Sequence, residues 1–331
     1  MKVCIYGCGA IGSLIAARLV RGGAEVSVIA RGPHLQAIRS DGLSLVSPDG
    51  GETLNVSVAA SDDPNDLGEQ DVVFLTLKSH MLADIADSII PMLGTETMVV
   101  TACNGIPWWY FHGTEEFACP ELASVDPGRH LWNTIGPERA IGCVVYTAAS
   151  VVSPGVVRHV FGDRFAIGEP DGRRSERIQL LAELMRSGGF EIDVDMNIRV
   201  PIWIKLVANV AYNPVSLITG KALDAMIDDE ATNGLLTATM QEATAVADSL
   251  NINVPVSPEY LHTATRKLGA HKTSMLQDFE AGRSLELEPI VGAVIELAHM
   301  HGVATPSLDM IYRLAANKTS DGGKGDNSKI H

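Results

Sequence analysis

The chain has 331 residues, 46% of them hydrophobic, and its 40 Asp and Glu against 25 Lys and Arg leave a formal net charge of -15. Such a length exceeds one typical core and predicts two domains, while the acidic balance excludes nucleic acid, whose phosphates most of the surface would repel. No apolar run is long enough to span a bilayer and no signal-peptide pattern is present, so no membrane association is expected and the expected location is the cytoplasm.

Lys2 to Tyr6 reads as a buried strand, followed by Gly7, Gly9 and Gly12 in GxGxxG spacing, an amphipathic helix from about Ile11 to Arg21, and a Gly22-Gly23 stop. In that order the first glycine permits a tight turn, the second lets backbone approach a pyrophosphate, and the third lets helix pack on strand. The pyrophosphate would sit at the helix N-terminus, where unpaired N–H groups and the helix dipole favour negative charge. The second strand, from Val26, ends at Arg31. An acidic residue there would bind the ribose hydroxyls of NAD, whereas an arginine can pair with a 2′-phosphate, so Arg31 points to NADPH. The plain alternative is a solvated surface arginine.

Cys4, Cys8, Cys103, Cys119 and Cys143 show no CxxC pairing, the pattern of buried free thiols. Cys8 lies inside the glycine turn, where packing asks for a small side chain; a redox role is the alternative.

Further along, Gln70 to Leu77 is a buried-strand run ending at Lys78, and Thr97 to Ala102 is another ending at Asn104-Gly105. Parallel strands would bring Lys78 and Asn104 to the carboxyl edge of the sheet, where ligands bind in open α/β sheets. After Gly105 come four consecutive aromatic residues, Trp108 to Phe111, in an extra stretch reaching about Pro137. They wall a pocket or anchor the insertion, and the second is favoured because aromatics more often pack than bind. Strands are expected around Ala140 to Ala149, Gly155 to Val160, Arg164 to Ile167 and Phe190 to Val194.

From Arg199 the period is helical, which marks the boundary between a first domain of 1–197 and a second of 198–318. Residues 319–331 lack apolar anchors and are expected to be a disordered tail. Lys205, Asn209 and Asn213 recur every four residues and share one helix face. Polar groups on a mainly apolar helix call for a polar cavity or for one another; a solvated surface stripe is the other reading, and Pro214 offers Asn213 a role as a helix-ending residue. Ser274 with Gln277 is a capping-box pattern, and Glu286 would favour the N-terminus of a helix that Pro289 helps to start. No metal site is expected, since His299 and His301 point to different helix faces. No GxSxG elbow is present.

The segments GCGAIG (Gly7, Cys8, Gly9, Ala10, Ile11, Gly12), TLKSH at Thr76 to His80, Asn104-Gly105, WIKLVANVAYNP at Trp203 to Pro214, SMLQD at Ser274 to Asp278 and RSLE ending at Glu286 occur in an order and spacing that resembles the ketopantoate reductase (2-dehydropantoate 2-reductase) family, within the 6-phosphogluconate-dehydrogenase-like group. The resemblance implies an α/β N-terminal Rossmann domain with an all-helical C-terminal domain and a site in the cleft between them. It implies cofactor binding by Gly7 to Gly12, Arg31, Lys78 and Asn104. Lys205 and Glu286 would be catalytic, and Asn104, Asn209, Asn213 and Ser274 would hold substrate.

The activity so implied is NADPH-dependent reduction of a 2-keto acid to a 2-hydroxy acid, ketopantoate to pantoate in pantothenate biosynthesis. The aromatic insertion keeps a bulkier 2-keto acid open, and fold alone also permits a non-catalytic NADPH sensor. Large apolar helices in the second half would suit a homodimer.

Overall fold

The computed structural model describes residues 1–114 and 120–322 and forms two compact units. The first comprises Met1–Cys103, Pro107–Glu121 and Asp126–Ile198; the second comprises Asn104–Ile106, Leu122–Val125 and Arg199–His331. The chain thus enters the helical unit twice before Arg199, an exchange that local patterning does not reveal. Cys119 and residues 323–331 of the expected tail lie outside the described residues. The rest of that tail is not irregular, because the last helix runs through Gly322.

In the first unit the elements are β1 (Lys2–Tyr6), α1 (Ala10–Arg21), β2 (Glu25–Ile29), α2 (Gly32–Asp41), β3 (Leu43–Val46), β4 (Thr53–Val56), β5 (Ala59–Ser61), β6 (Gln70–Leu75), α3 (Leu82–Ile85), β7 (Leu93–Thr101), α4 (His130–Ile135), β8 (Ala140–Val145), β9 (Ala148–Ser153), β10 (Val156–Phe161), β11 (Arg164–Gly168), α5 (Glu176–Ser187) and β12 (Glu191–Val194). The main sheet has the order β12-β11-β8-β7-β6-β1-β2-β5. The six strands from β8 to β5 are parallel, and β11 and β12 run opposite to them. Strand order reverses between β1 and β6, the switch point at which open α/β sheets bind ligands.

The run expected around Ala140 to Ala149 is two strands in two sheets, since β9 leaves β8 to join a second sheet of order β4-β3-β10-β9. That sheet explains the burial of α1. Its residues Gly12 to Ala17 and Leu19 are all buried, far more than one apolar stripe, because α1 touches β3, β4, β9 and β10 as well as β1 and β2. Trp108, Trp109, Tyr110 and Phe111 are at most 5% exposed, and the Trp109 ring takes the space that a side chain at Gly142 would need. These aromatics pack as anchors of the insertion.

The second unit is built from α6 (Arg199–Thr219), α7 (Leu223–Asp228), α8 (Glu230–Ser249), α9 (Pro258–Arg266), α10 (Ser274–Glu280), α11 (Ala293–His301) and α12 (Pro306–Gly322). A π-helical turn, Glu288–Gly292, leads into α11. The central element is α6, which packs against α8, α10, α12 and the π turn. No helix among the described residues is long and apolar enough to cross a membrane.

Candidate functional site

In the first unit three strand ends converge on the glycine turn. Tyr6 is paired with Ile29 of β2 on one side and with Leu75 of β6 on the other. The Cys8 amide donates to Ile29 O over 2.9 Å, and Thr76 Oγ1 donates to Gly7 O over 2.7 Å. Arg31, two residues beyond β2, is the exposed N-cap of α2, and half-buried Lys78 follows Thr76 by two residues. Thr76, which opens the TLKSH segment, thus belongs to the turn although no glycine or charge marks it. Its hydroxyl is on the one polar side chain between Val72 and Leu77, and that is its signal in the sequence.

The three glycines divide the work of the turn. Gly7 adopts φ +102, and a Cβ there would also press on Leu77. A Cβ on Gly12 would come within 2.4 Å of Gly7 O and 2.7 Å of Thr76 Oγ1, so this residue closes helix onto strand. Gly9 has nothing within 4 Å of its Cβ position. It is the N-cap of α1, which receives no side-chain cap and carries no acidic residue in its first turn. Open room above an uncapped helix N-terminus fits an anionic pyrophosphate, and Gly7, Cys8, Gly9, Ala10, Ile11 and Gly12 are the residues that would hold it. Burial pushes the Cys8 thiol up to about 11, so it stays protonated and is a poor redox group.

In the second unit Lys205, Asn209 and Asn213 lie along α6. Lys205 and Asn209 are half-buried and Asn213 is only 5% exposed. Asn213 does not end the helix: α6 continues through Pro214 to Thr219, so the turn explanation for this carboxamide falls away. Ser274 is not a cap either. Thr273 caps α10 by accepting from Leu276 N at 3.2 Å, which leaves Ser274 as an exposed first helical residue. The expected capping box fails because the helix begins one residue earlier than the S-x-x-Q spacing assumes.

Asn104 and Glu286 meet. The Asn104 Nδ2 donates to Glu286 Oε2 over 3.0 Å, and Ile106 N donates to Pro289 O over 3.1 Å. Gly105 makes this possible, with φ +87 and a Cβ position only 2.2 Å from Pro289 O. Its importance was invisible without the long-range contact. Glu286 lies just ahead of the π turn, a helix irregularity of the kind that gathers at functional sites. A cavity of about 470 Å³ beside His262 and Arg266 includes none of the expected site residues.

Comparison with known proteins gives the same answer for both units. Residues 3–172 match the family described as "Ketopantoate reductase PanE/ApbA" and residues 197–319 its C-terminal counterpart. A curated 2-dehydropantoate 2-reductase of Mesorhizobium japonicum is 45% identical over 95% of this chain and 96% of its own length. The crystal structure of a putative ketopantoate reductase from Ralstonia solanacearum superposes with a TM-score of 0.92 at 37% identity, covering 97% of this chain and 98% of that one. A D-mandelate dehydrogenase bound to NADH and anilino(oxo)acetate shares the fold, with a TM-score of 0.83 at 21% identity over 98% of this chain and 100% of its own. With both halves matched in sequence and in fold, the chain belongs to the ketopantoate reductase family of oxidoreductases.

Proposed function

We propose that the protein reduces a 2-keto acid, 2-dehydropantoate, to pantoate with NADPH, a step of pantothenate biosynthesis. The observation that carries this reading is the 45% identity to a 2-dehydropantoate 2-reductase along nearly the whole chain, with a lysine and two asparagines aligned on the central helix of the second unit. The first unit would hold the cofactor: Gly7 to Gly12 at the pyrophosphate, Arg31 at the 2′-phosphate and Lys78 near the phosphates. When bound, the reduced nicotinamide supplies a hydride to the carbonyl carbon.

The chain's own residues supply the rest. Charge builds on the carbonyl oxygen as the carbon is reduced, and the Lys205 ammonium stabilises it and donates the proton that completes the hydroxyl. Asn209, Asn213 and Ser274 donate and accept without changing charge, which suits holding a keto acid in one pose. Glu286, steadied by Asn104, would be the acceptor for Lys205 or for a substrate hydroxyl, and Asn104 would hold substrate and touch the cofactor's reactive end. A bulkier keto acid loses its motive here, because the aromatic run is packed away. Met310 and Leu314, one turn apart on α12 and 62% and 46% exposed, form an apolar stripe that a second copy would cover in the cytoplasmic homodimer proposed with this activity.

The test is NADPH oxidation with a panel of 2-keto acids. The highest kcat/KM is expected with 2-dehydropantoate, and Lys205→Ala is expected to lower kcat by about 10²- to 10⁴-fold. Tight NADPH binding with no turnover of any keto acid would instead make the protein a sensor.

A further inference from the structure

We propose that His34 is a positioning residue for the cofactor turn, relaying hydrogen bonds from the Gly155 amide through Ser13 to the Cys8 carbonyl and so setting the affinity of the turn for the nucleotide. The proposal rests on the NADPH reading above, but the relay itself lies wholly within the first unit.

The direction of each bond follows from chemistry. The Gly155 N–H lies 3.0 Å from His34 Nδ1, and a backbone amide only donates. Nδ1 is therefore the bare nitrogen, and the neutral ring carries its proton on Nε2. Nε2 lies 3.3 Å from Ser13 Oγ and so donates to it. Ser13 Oγ in turn lies 3.3 Å from the Cys8 carbonyl, which only accepts, and 3.3 Å from the Cys8 thiol, which can itself donate, so the hydroxyl gives its proton to the carbonyl. The other tautomer would pull the serine proton toward the ring and leave Cys8 O without this donor.

The end of the relay is the cofactor turn. The Cys8 amide is already held by Ile29 O, so the Ser13 bond clamps the Cys8 unit from its other side, next to Gly9 and its open room. Ser13 is fully buried, and its own amide donates to Gly9 O at 2.8 Å. At the far end Gly155 has φ +76 in the turn between β9 and β10, and its Cβ position lies 3.0 Å from Ala37 of α2, so the amide is delivered close to that helix. His34 thus ties together the glycine turn, the first turn of the helix headed by Arg31, and the second sheet.

Protonation would undo the relay, because an imidazolium places a proton on Nδ1 facing the Gly155 N–H. Burial holds the ring below its ordinary 6.5, which keeps it neutral at physiological pH. The groups facing the ring are Ser13 and Cys8 from the turn and α1, with the Cys8 thiol neutral, and the uncharged Gly155 amide from the second sheet; Arg31 heads the ring's own helix.

The experiment is titration of the full chain with NADPH and with NADH, for wild type, His34→Ala, His34→Gln and Arg31→Asp. A relay to the pyrophosphate turn acts on both nucleotides, so His34→Ala is expected to weaken both by a similar factor of about ten. Arg31→Asp is expected to weaken NADPH far more than NADH. NADH lacks the 2′-phosphate, which itself titrates near pH 6, so it carries the pH arm. Wild-type affinity for NADH is expected to be flat above about pH 7 and to fall as pH drops through the His34 pKa. His34→Gln, which keeps a donor toward Ser13 and does not titrate, should abolish that fall. Weakening confined to NADPH, or an unchanged pH profile in His34→Gln, overturns the proposal. Nitrogen NMR of the wild-type ring decides it independently of any variant's folding: a proton on Nε2 supports the relay and a proton on Nδ1 sinks it. Failure of the wild type to bind either nucleotide at neutral pH would strike the NADPH reading, and the tautomer would still decide the relay.

Discussion

The Asn104 carboxamide is bonded to the Glu286 carboxylate across 182 residues of chain, at 3.0 Å. Both side chains are half-buried, and both belong to the second unit although Asn104 comes three residues after the end of β7 in the first. A hydrogen bond to a charged acceptor contributes about 1.5–3 kcal/mol when its surroundings are partly dry. In a double-mutant cycle, Asn104→Ala and Glu286→Ala are expected to couple by about 1–2 kcal/mol in unfolding free energy. Denaturant unfolding of the four proteins measures this, and strict additivity would mean that the bond contributes nothing.

Gly9 and Gly12 should respond oppositely to the same substitution. Gly12→Ala drives a Cβ against backbone at Gly7 O, which cannot yield cheaply, and is expected to destabilise the protein by about 1–3 kcal/mol. Gly9→Ala meets open space and is expected to cost under about 1 kcal/mol, from a poorer helix cap. Its cost should appear in binding, as a rise in NADPH Kd of about tenfold or more where the methyl takes the pyrophosphate's room. Thermal melts with cofactor titration separate the two, and unchanged affinity in Gly9→Ala would remove the cradle.

Thr273 and Ser274 form a second contrasting pair. Thr273→Ala loses the α10 cap and is expected to lower stability by about 1 kcal/mol, whereas Ser274→Ala, exposed and uninvolved in capping, should leave it within about 0.5 kcal/mol. If Ser274 holds substrate, its loss appears as a higher KM for the keto acid. Urea midpoints and KM for both variants provide the check, and an unchanged KM in Ser274→Ala would remove it from the site.

Much of this was legible in the sequence where the physics is local. The glycine turn, α1 and the β1, β6 and β7 strands announce themselves through glycine spacing and unbroken apolar runs, since a strand buried on both faces has no polar alternation to hide it. Helix ends were less legible. Pro214 and the Ser274–Gln277 spacing both carry local signals for a helix boundary, yet α6 continues through the proline and Thr273 takes the cap. Tertiary packing of α6 against α8, α10 and α12 outweighs the bond that the proline forfeits.

By itself the sequence determined that a strand, a glycine turn and a helix would follow one another, that Arg31 would stand just past the second strand, and that Lys205, Asn209 and Asn213 would share a helix face. These follow from spacing along a few turns of chain. Only the tertiary structure decided that Asn104 is bonded to Glu286, that Gly105 passes over Pro289, and that His34 reaches Gly155 and Ser13. Each joins residues far apart in the chain, and no local propensity encodes such a pairing; it exists because burial of the sheets and of α6 brings those backbones within hydrogen-bond reach.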